Sequence, residues 1–270
     1  VVSKGRDEHP TEEELRQLRQ RVAEPKQEQV ATERKWARRG TLEQSFEELR
    51  RSLKGTIHAL VLAVEMKDPY TAGHQRWVAG LACAIAREMS LSGEKIEGIR
   101  MAGLVHDIGK LSVPAEILSK PSQLTGTEFD LLKAHPQVAY DILKAIDFPW
   151  PVAEIVLQHH ERMDGSGYPQ GLKGDDILFE ARILAVADVV EAMLSHRPYR
   201  PALGIDKAME EIRKNKGKLY DQDVVAACRG YAAKNQGPKV FHHRERSEDV
   251  VKQLNGEAKW RKYHFQRGLI

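Results

Sequence analysis

From Thr41 onward, apolar residues recur at steps of three and four: Leu42, Phe46, Leu49, Leu53, Ile57, Leu60 and Val64. This spacing predicts an amphipathic helix over 41–66, with Thr41 placed as its N-cap. The first four and last four of these residues each trace a coiled-coil-like seam, and a second step of four, reaching Ile57, shifts the register. Such a helix either packs on its own domain or pairs with its copy in a homodimer and carries a signal into the domain. Gly55 within it costs about 1 kcal/mol of helix stability. Further on, helical spacing predicts segments at 74–88, 94–108, 127–134, 136–146, 151–160, 178–195, 205–214 and 221–233. The alternation that marks strands is missing. Residues 110–125 and 161–177, rich in Pro, Gly, Ser and Asp, are predicted loops. No repeat is evident. The fold expected is all-α: a helical catalytic domain over 57–230, entered through the 41–66 helix.

The ends are different in kind. Residues 1–40 are polar, with one short stripe at Leu15, Leu18 and Val22 that Pro25 closes, as in a linker or partly helical segment. Residues 231–270 form a basic tail with scattered aromatics (Phe241, Trp260, Tyr263, Phe265), either an appended helix or a segment without fixed structure.

Charge sharpens this division. The net charge of the 270-residue chain is +3, yet residues 57–230 hold 20 basic and 24 acidic residues, while 231–270 hold 9 and 4. A reader of duplex nucleic acid carries its basic patch on the folded domain, so this balance weighs against that role. No apolar run approaches the ~20 residues of a membrane span; the longest, around Ala59–Val64, stops at Glu65. The opening VVSKGRDEHPTEEE has neither the basic start nor the apolar stretch of a secretory signal, so a cytoplasmic chain is expected. It begins on Val1 rather than Met, as a piece of a longer protein would. Its two cysteines, Cys83 and Cys228, are expected to be packed and reduced, leaving His and carboxylates for site chemistry.

Those residues cluster in motifs. His106-Asp107 follows an apolar helical run and precedes Ile108-Gly109-Lys110. His159 continues the stripe of Val152, Ile155 and Val156, and His160 lies ~100° around the helix, directly before a glycine-rich loop. His135 precedes Pro136, which suits a helix start, and His74 sits near the start of another. Asp188 lies in Ile183-Leu184-Ala185-Val186-Ala187-Asp188-Val189-Val190, apolar on nearly every side. A buried carboxylate needs a partner, either an arginine or a metal. Together His74, His106, Asp107, His135, His159, His160 and Asp188 give five imidazoles and two carboxylates. That is too many for one tetrahedral zinc, and it suits two metals bridged by a carboxylate and a hydroxide. Such donors accept Fe, Mn, Zn or Ni.

His106-Asp107-Ile108-Gly109-Lys110, then His159-His160-Glu161-Arg162-Met163-Asp164-Gly165-Ser166-Gly167-Tyr168-Pro169, then Asp188 and Arg197-Pro198-Tyr199-Arg200 resemble, in that order, the motifs of the HD-GYP family. That family is a branch of the HD-superfamily metal phosphohydrolases, and the resemblance spans about 57–230. It implies a helical bundle that hydrolyses cyclic di-GMP, to linear pGpG or GMP, behind an upstream sensor or receiver domain. It implies one metal on His74, His106, Asp107 and Asp188, with Asp107 bridging to a second on His135, His159 and His160. The two divalent ions would be Fe or Mn, with Zn or Ni as alternatives. Lys110 would lie beside the attacked phosphate and Asp68 near the first metal; Tyr168, Arg197 and Arg200 would contact the dinucleotide. Some members use a Glu four residues before the first His for a third metal; Tyr70 stands there instead, which implies two.

On physical grounds Arg197 and Arg200 are either planar forks for phosphate or surface ion-pair partners, and Tyr168 either stacks on a base or packs its loop. Two other functions compete. One is a phosphohydrolase for another nucleotide or cyclic dinucleotide. The other is a non-catalytic receptor, which would be expected to have lost metal ligands; none of the seven is missing.

Overall fold

The computed structural model describes residues 12, 13, 15–17, 44, 45, 47, 48, 51–53, 55–68, 73–196 and 201–234. The chain divides into two units, Val1–Thr56 and Ile57–Ile270. In the first unit the described residues at 12–17 and 44–53 are helical. The polar Pro25 region, the tail beyond 234, Tyr70, Arg197 and Arg200 lie outside the described residues.

The second unit is built from helices: α1 (57–67), α2 (His74–Glu88), α3 (Gly93–Val105), α4 (Ala115–Leu118), α5 (Gly126–Lys133), α6 (His135–Leu143), α7 (Val152–Gln158), α8 (Phe179–Leu194), α9 (Ile205–Lys214) and α10 (Gln222–Lys234). No strand occurs among the described residues, only an isolated bridge between Lys216 and Tyr220. From His74 on, the predicted helices stand where the spacing puts them, two with the same bounds and the others shifted or shortened by up to three residues at an end. The segment predicted over 94–108 stops at Val105, and the one predicted over 151–160 stops at Gln158. This leaves His106-Asp107 and His159-His160 just past their helices.

The ends have local causes. Ser92 caps α3 by accepting from the Lys95 amide at 3.4 Å. Thr125 and Glu128 form a reciprocal capping box on α5, and Pro136 occupies the first turn of α6. The stretch 110–125, predicted as loop, is more ordered: a 3-10 turn runs from Ile108 to Ser112 and α4 follows Pro114. Pro114, its φ fixed by the ring, lends its carbonyl to the amides of Ile117 and Leu118, which starts the turn that periodicity over so few residues could not reveal.

α8 is the central element, in contact with α2, α3, α7, α9 and α10. Ile183, Leu184, Val186, Ala187 and Val190 on it are fully buried in the core. Val64 of α1 belongs to the same core, and Ile57 and Leu60 pack against it. The later half of the 41–66 seam therefore faces the chain's own domain. Leu53 is 56% exposed. Cys83 and Cys228 are both free and buried, and burial pushes the Cys228 thiol up to about 12. Among the described residues no helix is long and apolar enough to cross a membrane.

Candidate metal centre

Helix ends deliver the histidines. His74 opens α2 and His135 opens α6; His106 and His159 terminate α3 and α7, and His160 follows. Asp107 starts the 3-10 turn, which packs on α6, and Asp188 projects from the middle of α8. All but His160 are buried, with His159 at 0% exposure and Asp188 at 8%.

Local backbone sets the ring orientations. Nδ1 of His106 reaches the Gly103 carbonyl at 2.8 Å, that of His135 the Leu132 carbonyl at 2.7 Å, and that of His159 the Val156 carbonyl at 2.5 Å. A carbonyl can only accept, so Nδ1 carries the hydrogen and Nε2 the lone pair in each neutral ring. In all three the acceptor lies three residues earlier, in the preceding helical turn.

The Nε2 atoms converge with the carboxylates. His74 Nε2 lies 3.2 Å from His106 Nε2 and 3.2 Å from Asp188 Oδ1. Asp107 divides its oxygens: Oδ2 is 3.5 Å from His74 Nε2 and 3.6 Å from His106 Nε2, while Oδ1 is 3.5 Å from His135 Nε2. His160 Nδ1 is 3.9 Å from Asp188 Oδ2, and its ring lies 4.0 Å from that of His159. Three trios have ligand atoms within 4.8 Å of one another: His74, His106 and Asp188; His106, Asp107 and His159; His135, His159 and His160.

These residues fit metal ions. Nε2 of His135 and of His159 is buried without a hydrogen-bond partner, and a buried polar atom left so costs ~1–3 kcal/mol unless something fills the place. Ligand atoms bound at ~2.1 Å to a shared ion stand about 3.0–3.4 Å apart, close to the separations around His74. Burial also keeps imidazoles neutral, as ligation requires: it lowers His106 and His160, takes His135 down to about 4 and His159 to about 3. Burial opposes charge on His74 too, but the Glu191 and Asp188 carboxylates outweigh it and hold that ring at about 9. For Asp107 and Asp188 burial is likewise outweighed. Lys110 and the imidazoles hold the first well below the usual carboxylate range, and the hydrogen bond and charge of His74 do the same for the second.

At the rim, Lys110 Nζ donates to Asp107 Oδ2 at 2.7 Å and lies 4.0 Å from Asp68 Oδ2. Tyr168 faces His160, ring centres 4.8 Å apart, and meets Phe129 edge-on at 6.5 Å. The loop that carries Tyr168 is folded around a buried Glu161 carboxylate. It accepts from the amides of Gln170 at 2.7 Å, Gly171 at 3.2 Å and Leu172 at 3.1 Å. Gly165, at φ +80, makes the turn a side chain would strain.

The structure thus gathers His74, His106, Asp107, His135, His159, His160 and Asp188, and sets Asp68, Lys110 and Tyr168 at their edge. Three participants escaped the sequence reasoning. Glu191, Glu161 and Phe129 each contact a predicted residue or its loop. Glu191 is a second carboxylate in the apolar helix that marks Asp188, but the partner that gives it a role, His74, is distant in sequence. Phe129 left no signal, for its neighbour Tyr168 comes from a distant loop.

The HD domain family model matches residues 59–224. The cyclic di-GMP phosphodiesterase response regulator RpfG of Xanthomonas campestris is 38% identical over 82% of this chain and 58% of its own length. A cyclic di-GMP phosphodiesterase of Thermotoga maritima is 38% identical over 78% of this chain and 57% of its own. The 3'3'-cGAMP-specific phosphodiesterase 3 of Vibrio cholerae is 39% identical over 66% of this chain and 38% of its own. The chain spans little more than half the length of the first two and less of the third.

Proposed function

The chain belongs to the HD domain family, in its HD-GYP branch, and from that membership we propose that it is a metal-dependent phosphodiesterase hydrolysing cyclic di-GMP to linear pGpG, GMP or both. The observation that carries the proposal is the divided carboxylate of Asp107, one oxygen toward His74 and His106 and the other toward His135. It supports His74, His106, Asp107 and Asp188 as holders of one divalent ion, and Asp107, His135, His159 and His160 as holders of a second. Iron or manganese suits these donors, as do zinc and nickel. Such ions supply Lewis acidity at phosphoryl oxygens and bring the pKa of water near neutrality.

The chain's own groups do the rest. Lys110 Nζ sits beside Asp107, where it donates to a non-bridging phosphate oxygen and offsets charge as the phosphorus becomes five-coordinate. Asp68 Oδ2, beyond Lys110, is placed to hold a proton passing between the attacking water and the leaving oxygen. Tyr168 borders the centre through His160 and holds the dinucleotide, with Arg197 and Arg200 as phosphate forks. The 41–66 helix joins two copies through its earlier half and links them to an upstream sensor or receiver domain.

A second substrate, 3'3'-cGAMP, is favoured by the name of the Vibrio relative. The test is anaerobic purification, metal analysis and turnover on cyclic di-GMP, 3'3'-cGAMP and linear pGpG. Two ions per chain with cyclic di-GMP turnover, lost in Asp107→Ala, is the expected result. Faster turnover of 3'3'-cGAMP would move the proposal to the second substrate. A protein that binds cyclic dinucleotides but turns none over under any loading would make it a receptor.

A further inference from the structure

His74 differs from the other buried imidazoles in one respect. His106, His135 and His159 each give Nδ1–H to the carbonyl three residues earlier. His74 opens α2 as His135 opens α6, yet its partner at Nδ1 is a side chain rather than a carbonyl. Its Nδ1 instead meets Oε2 of Glu191, which reaches across from α8. Glu191 is itself buried, and its other oxygen, Oε1, accepts from Ser195 Oγ. Both oxygens are engaged, so the side chain is fixed. Asp188 and Glu191 are three apart on α8 and share a face. The imidazole of His74 is held between them, Asp188 Oδ1 at 3.2 Å from Nε2 and Glu191 at Nδ1.

We infer that Glu191 is a positioning residue for metal binding: it fixes His74 with Nδ1–H outward and Nε2 toward the centre, and its charge strengthens Nε2 as a donor. The inference rests on the two-ion proposal above. A carbonyl orients a ring, whereas a carboxylate also feeds charge into it. His74 is therefore the donor whose partner at Nδ1 carries charge. Ser195 acts one step further out, holding Glu191 in the rotamer that reaches the ring.

The test compares wild type, Glu191→Gln, Glu191→Ala and His74→Ala by chelator competition, which reads the two ion affinities separately, with metal-free melting as a folding control. Glu191→Ala should weaken one ion by about 10–100-fold and spare the other. Glu191→Gln, which keeps an acceptor but no charge, should fall between it and wild type. A purely structural role would lower the melting temperature without this ordered series. Either Glu191 variant that binds both ions within about threefold of wild type overturns the inference, and the Gln variant suffices should the Ala variant not fold. If His74→Ala itself keeps both ions, the fault lies with the two-ion proposal instead.

Discussion

Gly109 meets His135 backbone to backbone: a Cβ on Gly109 would lie 1.9 Å from the His135 carbonyl oxygen and 2.8 Å from the Ala139 amide nitrogen. Neither obstacle is a side chain that could swing away. This contact draws the turn after Asp107 onto the start of α6, and so brings Asp107 Oδ1 within 3.5 Å of His135 Nε2. Gly109→Ala should push the two elements apart, costing about 1–3 kcal/mol as overpacking does. Calorimetry of the metal-free protein together with metal analysis should show a lower melting temperature and poorer retention of the ion on the His135 side.

Asp188→Asn keeps shape and removes charge. It should lower metal retention and turnover together, because the carboxylate faces His74, His106 and His160. Full metal content and activity in this variant would take Asp188 out of the ligand set.

The Glu161 carboxylate gathers three backbone amides around one buried charge. Glu161→Ala should leave those amides without their acceptor and loosen the loop that carries Tyr168. Hydrogen exchange should rise across 162–172. KM should increase with metal content unchanged, since Glu161 is not among the groups that could hold an ion.

Acid should destabilise the metal-free protein. His135 is lowered to about 4 and His159 to about 3, from an ordinary 6.5. Between those values and 6.5 the unfolded chain binds protons that the folded one refuses. Stability therefore falls with pH in that window, with a slope approaching ~1.4 kcal/mol per pH unit for each such ring. His74 has the opposite sign. Held at about 9, it contributes stability that is complete below 6.5 and is lost as pH rises through 9. Melting curves from pH 4 to 10 should thus peak between these limits, and excess metal, which binds only neutral rings, should steepen the acid limb.

Leu49→Lys with Leu53→Lys tests the homodimer. The later seam residues Ile57, Leu60 and Val64 face the domain's own core, so a partner copy must use the earlier ones. The double variant should turn a dimer into a monomer in light scattering, with a melting temperature within a few degrees of wild type. A wild type that is monomeric at high concentration would end the dimer proposal.

The helices were legible because nearly all bury a stripe, and a stripe repeats every three or four residues. α4 was not, being one turn long. Asp188 was legible because a charge interrupts an apolar helix. Glu191 sits on the same helix but carries its meaning in a partner 117 positions away, His74, and no local pattern encodes such a pairing. Glu161 was visible inside its motif, yet its work is to bind amides of its own loop, which only the folded loop discloses. The exposed aromatic Phe129 reads in sequence as an ordinary residue of a short helix.

The converging donors belong to helix ends scattered from His74 to Asp188, and this fixes when the centre can exist. A growing chain holds His74 and His106 long before Asp188 is made, and those early donors cannot trap an ion as a full set. The donor set proposed for the first ion is complete only when α8 seats among its neighbours. Under the two-ion proposal each ion would clasp segments remote in sequence, so loss of a helix that supplies its donors would release it. Occupancy would then be a gauge of completed folding, and a cell short of metal would hold a less durable protein.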